Sequence, residues 1–226
     1  MKTYKLHLIR HGECLGNQKG QYIGVTDSPL TTNGIKELQC LAQKGIYPKV
    51  PLVFTSPLSR AVETAKIIYP GIDPVIIPNF AEMDFGKFEQ KTIDELAGDE
   101  EYINWALGRL PAPPFGEKTK DFIQRTALAL REAVQYMMDC EIFEAAAVIH
   151  GGSIMLLLQS CALPRKEKMT EWSAANGKGF TVKITPSLYA SSGVIEVVGE
   201  IPPEGARGVM PIEKTIKECK NGPKEN

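Results

Sequence analysis

The sequence predicts an α/β protein built on a largely parallel, doubly wound sheet. Short apolar runs alternate with amphipathic helical stretches, the pattern that crossover helices impose on a parallel sheet. Two of those runs, Leu6-His7-Leu8-Ile9 and Ala145-Ala146-Ala147-Val148-Ile149, pass into Arg10-His11-Gly12 and His150-Gly151-Gly152. The chain has 226 residues, 43% of them hydrophobic, which is enough for one substantial core.

Residues 3–9 read as the first strand. Thr31-Thr32-Asn33-Gly34 opens a helix predicted to run to about Tyr47, with Ile35, Leu38, Leu41 and Ala42 on one face. Pro51 to Phe54 is a short strand, and Pro57 to Ile68 is a helix stopped by Pro70-Gly71. Val75 to Ile77 is a third strand. Residues 79–116 break the alternation with aromatics, acids and Pro111-Ala112-Pro113-Pro114. They read as short helices and loops capping a site, since long irregular connections are often functional; a packed surface excursion is the plainer alternative. A helix over 118–139 follows, with Phe122, Ala127, Leu130, Val134 and Met137 facing inward. Ile154 to Leu158 is apolar all round and predicts a central, buried helix. Phe180 to Ile184 and Val194 to Val198 read as antiparallel strands at the sheet edge. Residues 1–201 read as one domain, with residues 202–226 as a Pro-, Gly- and Lys-rich C-terminal tail.

Composition narrows the function. Lys plus Arg number 26 and Asp plus Glu 27, so no basic field points to nucleic acid or an anionic membrane. Met1 to Arg10 is too short and too charged for a signal peptide or membrane span, so a cytoplasmic protein is expected. Five cysteines without a Cys-x-x-Cys pair read as free thiols of a reducing compartment. With three histidines and no paired cysteines, neither a metal site nor a cofactor is expected. The expected partner is a small phosphorylated metabolite, and a homodimer is left open.

The chemistry gathers at predicted strand ends, where open α/β sheets bind ligands. Gly12 permits a sharp turn, and Arg10 offers a planar fork suited to phosphate. Positive charge beside His11 favours its neutral ring, a competent nucleophile toward phosphorus; a merely hydrogen-bonded strand-end histidine is the bland alternative. Arg60, in Ser56-Pro57-Leu58-Ser59-Arg60, opens a helix after another strand and can receive an oxyanion, although a lone arginine is more often solvated. Asn17 can donate its amide to the same anion, or serve as a turn residue. His150-Gly151-Gly152 adds a second imidazole and backbone N–H groups. A general acid is available in Glu82 or Asp84, both set among aromatics in Phe80-Ala81-Glu82-Met83-Asp84-Phe85-Gly86.

These pieces resemble the histidine phosphatase superfamily, also called phosphoglycerate mutase-like. The match comprises Leu8-Ile9-Arg10-His11-Gly12-Glu13 with Asn17, and Gly24-Val25-Thr26-Asp27-Ser28-Pro29-Leu30-Thr31 with Gly34. It continues with Thr55-Ser56-Pro57-Leu58-Ser59-Arg60-Ala61, Glu82 to Gly86 and His150-Gly151-Gly152. The resemblance implies a three-layer α/β/α sandwich with a mostly parallel sheet and a metal-independent phosphomonoesterase. It assigns His11 as the residue that becomes phosphohistidine and Glu82, rather than Asp84, as the proton donor. Arg10, Arg60 and His150 then form the phosphate pocket, with Asn17, Gly151, Thr26 and Tyr22 as further phosphate or substrate contacts.

Two positions depart from the pattern. Cys14 stands where a hydroxyl residue is usual, either as an inert small side chain or as an oxidation-sensitive thiol. Met155 stands where many relatives place arginine. Hydrolysis is favoured over mutase chemistry because Met83-Asp84-Phe85-Gly86 replaces the more basic stretch of the mutases. Residues 82–89 and 22–27 resemble alpha-ribazole phosphatases of cobalamin synthesis, and Tyr22, Phe85, Tyr102 and Trp105 could stack on such a substrate or simply fill the cap. A broad-specificity metabolite phosphatase and an inactive regulatory binding protein are the remaining readings.

Overall fold

The computed structural model describes residues 2–203 and 205. Its seven strands are β1 (Tyr4–Arg10), β2 (Val53–Thr55), β3 (Val75–Ile76), β4 (Glu144–Ile149), β5 (Ala162–Leu163), β6 (Gly179–Ile184) and β7 (Ile195–Ile201). They form one sheet in the order β3-β2-β4-β1-β6-β7-β5. Pairing is parallel from β3 through β1, antiparallel on both sides of β6, and parallel again at β5.

Eight helices accompany the sheet: α1 (Leu15–Gln18), α2 (Thr32–Gln43), α3 (Ser59–Ile68), α4 (Ile93–Leu96), α5 (Glu100–Ala106), α6 (Thr119–Asp139), α7 (Gly151–Cys161) and α8 (Pro186–Ser192). The alternation within β4 shows the three layers. Ala145, Ala147 and Ile149 pack with Leu130, Val134 and Met137 of α6 and Ile154 of α7. Ala146 and Val148 turn to the other face and pack with Leu38 of α2 and Ala61 and Ala65 of α3. The arrangement is an α/β/α sandwich with a mostly parallel central sheet.

Some local expectations are corrected. Helix α2 ends at Gln43 rather than Tyr47, because Gly45 enters the left-handed region at φ 68°. Ala127 faces outward on α6, and Thr126 and Ala129 take the inner position. Strand β6 is interior, between β1 and β7, and the short β5 forms the margin beside β7. The alternation of β6 reflects one face in the core, with Phe180, Val182 and Ile184, and one half-exposed face, with Thr181 and Lys183. The predicted tail lies almost wholly outside the described residues.

Residues 79–116 carry α4 and α5 among turns. A small core of their own, with Phe88, Tyr102 and Trp105, is closed by Tyr22 from the loop after α1 and by Phe122 from α6. Aromatic edges meet at ring-centroid separations of 5.1–6.2 Å, a spacing that suits T-shaped and tilted pairs. This assembly sits beside the carboxyl ends of β1 and β4.

Candidate active site

Strands β1 and β4 are adjacent and parallel, with Arg10 in register with Ile149. The next residue of each is a histidine, so the topology delivers both imidazoles to one point. Their ring centroids lie 5.1 Å apart at an interplanar angle of 60°. That separation allows one phosphoryl group to meet both rings.

His11 Nδ1 donates to the Gly12 carbonyl at 2.7 Å. A carbonyl only accepts, so Nδ1 carries the proton and Nε2 presents a lone pair. Burial pushes the His11 pKa well below its usual value, and the Arg60 and Arg10 guanidinium groups push it further. Burial therefore dominates, whereas the sequence pointed to charge alone. The neutral, nucleophilic ring persists into acidic solution.

Arg10 and Arg60 are both buried. Arg10 Nη1 donates to the Ala174 carbonyl at 2.8 Å. Arg60 is anchored through Nη1 to the Thr26 carbonyl (3.0 Å) and Nη2 to the Gly24 carbonyl (2.6 Å). Fully buried cations require such partners, and those partners also fix where the positive charge sits. His150 is completely buried, with Nε2 2.6 Å from Ser56 Oγ, and its Nδ1 has no hydrogen-bond partner among the described residues. Burial, Arg60, His11 and Arg10 all lower its pKa.

Glu82 and Asp84 separate clearly. Asp84 Oδ1 accepts from the Gly86 N–H at 2.8 Å and closes a turn. Glu82 is buried, lines the cavity, and accepts from the Met83 N–H at 3.0 Å and from the Gly152 N–H of α7 at 3.0 Å. A Cβ at position 152 would lie 2.6 Å from Glu82 Oε1, so glycine is what lets the carboxyl reach the helix. Burial raises the Glu82 pKa; the two N–H groups and both arginines oppose it without cancelling it. A buried carboxyl with a raised pKa is equipped to donate a proton near neutral pH.

His11 and Glu82 line a cavity of about 250 Å³, just below the usual size of metabolite clefts, whereas His150 and Arg60 are buried behind its wall. Arg10, His11, Asn17, Glu82 and Gly151 line its inner end. Tyr22, Phe85, Trp105, Phe122 and Met155 line the outer part. Among the described residues at its surface, Arg10 is the sole cation and Glu82 the sole carboxylate. Tyr22 holds its hydroxyl 2.8 Å from that of Tyr102, so it is both cap core and cavity wall. Tyr102 is fully buried behind it and does not reach the cavity. Thr26 does not line the cavity either; its contribution is the carbonyl that holds Arg60.

Several residues at the site had carried no assignment. Asn176 Nδ2 donates to the carbonyls of His11 (3.1 Å) and Gly12 (3.2 Å) and to Asn17 Oδ1 (3.0 Å). Cys14 adds its backbone N–H (3.3 Å) and its thiol (3.2 Å) to the same Asn17 oxygen. With Oδ1 so engaged, the Asn17 NH₂ is the group left to meet an anion. The buried Cys14 thiol thus does part of the work of the expected hydroxyl. Glu89 accepts from the N–H groups of Gly24, Val25 and Phe85 at 3.0–3.2 Å, tying the loop that holds Arg60 to the segment that carries Glu82. Asn176-Gly177 before a strand offered a turn signal only, and the Glu89 contacts offered none.

Convergent imidazoles, buried arginines and a carboxyl whose pKa burial raises make a phosphoryl-transfer site on this sandwich. The chain belongs to the histidine phosphatase superfamily (branch 1), whose model matches residues 6–189. Its fold is similar to that of the alpha-ribazole phosphatase from Shigella flexneri, with a TM-score of 0.72, 27% identity and coverage of 91% of this chain and 98% of that one. It also resembles a phosphoglycerate mutase from Bacillus anthracis in fold, with a TM-score of 0.71, 17% identity and 96% coverage of both chains. In sequence it is 35% identical over 124 residues to a 2,3-bisphosphoglycerate-dependent phosphoglycerate mutase of Bifidobacterium longum. The aligned region spans only half the length of each of those two chains.

Proposed function

We propose that this enzyme hydrolyses phosphomonoesters through a phosphohistidine at His11, and that its preferred substrate is the ester of an uncharged alcohol bearing a planar aromatic group, such as alpha-ribazole 5′-phosphate. The observation that carries this reading is the cavity: a single cationic inner end beside His11, and an outer wall of Tyr22, Phe85, Trp105 and Met155 without a second cation. A phosphoglycerate, with a carboxylate besides its phosphate, would find nothing there to neutralise it.

In the first step His11 Nε2 attacks phosphorus, and the bond to the leaving oxygen breaks as that oxygen takes the Glu82 proton. The alcohol departs, leaving an N–P bond and a Glu82 carboxylate. Arg10 and the Asn17 amide, which line the cavity, meet the phosphoryl oxygens, with the Arg60 guanidinium and the His150 ring placed behind them. In the second step water gives its proton to Glu82 as its oxygen attacks phosphorus. Phosphate leaves, and both residues regain their starting forms.

The cellular reading is a cytoplasmic enzyme acting on a small phosphorylated metabolite, with neither nucleic acid nor membrane as partner. No helix among the described residues is long and apolar enough to cross a membrane. Residues 1–201 would constitute its histidine phosphatase domain, with 79–116 as cap and 202–226 as tail.

A panel of alpha-ribazole phosphate, sugar phosphates and 3-phosphoglycerate tests the specificity. Inorganic phosphate should be released in every productive case. One favourable aromatic contact is worth about 1 kcal/mol, so kcat/KM for the ester that bears the aromatic base should exceed that for sugar phosphates by roughly fivefold. Isomerised 3-phosphoglycerate as the main product would establish mutase chemistry instead. A broad-specificity phosphatase would show near-equal values across the panel.

The arginines and Glu82 supply the charge and proton that this reaction requires, and no group of three or more metal-ligating side chains converges among the described residues. Activity should therefore survive EDTA unchanged. Loss of activity that a divalent cation restores would overturn the metal-independent mechanism.

A further inference from the structure

Glu82 projects from a segment without helix or strand, between the turns Pro78–Phe80 and Gly86–Phe88. A general acid needs its carboxyl placed within a fraction of an ångström, and irregular backbone does not provide that by itself. The placement comes from Arg125 on α6, a residue to which the sequence drew no attention. Its Nη1 donates to the carbonyls of Asn79 (3.0 Å) and Ala81 (2.6 Å), and its Nη2 to the carbonyl of Glu82 itself (2.9 Å). Nε and Nη2 also donate to the Glu117 carboxylate at 2.7 and 2.8 Å. A guanidinium has five N–H donors, and all five are used. The plane lies over the Phe122 ring, 4.7 Å from its centroid, which fixes its tilt. The side chain projects from a 21-residue helix buried along one face.

We propose that Arg125, oriented by Glu117, is the positioning residue for the general acid, fixing the backbone of residues 79–82 so that the Glu82 carboxyl stays over the leaving oxygen. The proposal rests on the hydrolase reading above. Arg125 does not line the cavity, so it acts through Glu82 and, by its charge alone, on His150; Arg125→Lys keeps that charge and isolates the first route. Lysine cannot replace it, because an ammonium has no planar fork to span a carboxylate and three carbonyls.

The test uses Arg125→Lys, Arg125→Gln and Glu117→Gln in the full chain, with an alkyl phosphate and p-nitrophenyl phosphate as substrates. The value of kcat/KM reports steps only through formation of phosphohistidine. An alkoxide needs a proton to leave, whereas nitrophenolate does not. For the arginine variants, kcat/KM on the alkyl ester should fall about 100-fold, the scale of a misplaced catalytic group. On the aryl ester it should stay within about threefold, with phosphoenzyme accumulating because Glu82 must also activate water. Glu117→Gln should show the same pattern in weaker form. Equal losses on both esters, in step with a lower Tm, would make Arg125 merely structural and overturn the proposal, as would failure of all three variants to fold. If the wild-type enzyme forms no phosphohistidine, the hydrolase reading itself fails, and that result is distinct from either.

Discussion

His11→Ala is expected to lower turnover of p-nitrophenyl phosphate by about ten-thousand-fold or more, the scale on which enzymes lose rate when a covalent nucleophile is removed. The activated ester is the stringent choice, because its leaving group departs without help and any surviving route would show. The loss should lie in kcat, since Arg10, Arg60 and the Asn17 amide remain to bind phosphate. Structure should be retained: the His11 ring makes its one polar contact with the adjacent Gly12 carbonyl, so its removal strands no distant group. Rapid acid-free quenching with labelled substrate should give a base-stable, acid-labile phosphoenzyme in the wild type and none in the variant. Near-normal turnover by His11→Ala would remove the nucleophile from its assigned position.

Glu82→Gln should divide substrates by leaving group. General acid catalysis contributes about a hundred- to ten-thousand-fold, so kcat/KM for an alkyl phosphate should fall within that range. The aryl ester should lose less than about tenfold. Glutamine keeps an oxygen to accept from the Gly152 N–H but turns its NH₂ toward the Met83 N–H, so one backbone contact is lost together with the proton. Parallel losses on both esters would count against Glu82 as the acid.

The pH profile provides a second readout, and its sign follows from the two pKa shifts. The active acid is protonated, so alkyl-ester activity falls as pH rises through the raised Glu82 pKa. The active nucleophile is neutral, so activity falls on the acid side only when pH drops through the lowered His11 pKa. The lowered His11 pKa extends the working window toward acid, and the raised Glu82 pKa extends it toward alkali. Glu82→Gln should abolish the alkaline limb of the difference between alkyl and aryl esters, in which ionisation of the substrate phosphate, near pH 6, cancels.

Much of this was legible in the chain. Short apolar runs marked β1 and β4 because strands buried on both faces are mostly apolar; β1 admits the buried His7 by pairing it with Thr181 and Glu144. The small alanines of 145–147 pack where two helical layers press close. His11, Arg10, Arg60 and His150 stood out because strand ends are where such sheets expose chemistry. Less was legible where one residue type serves two purposes. Thr26 resembled a substrate contact, and its carbonyl instead holds Arg60. Tyr22 and Trp105 resembled a stacking platform or a cap core; they pack in the cap core and also line the cavity.

Sequence alone therefore determined which residues could do the chemistry, since hydrophobic periodicity and turn residues are local properties read over a few positions. Tertiary structure decided how they work. Register between β1 and β4 set the imidazoles side by side, burial rather than neighbouring charge chiefly shifted the His11 and Glu82 pKa values, and Asn176, Glu89 and Arg125 fixed the loops around them. Those contacts join residues far apart in the chain, such as Gly152 and Glu82 at a separation of 70. Desolvation and long-range hydrogen bonds arise only once the layers close, and no local pattern of residue types encodes them.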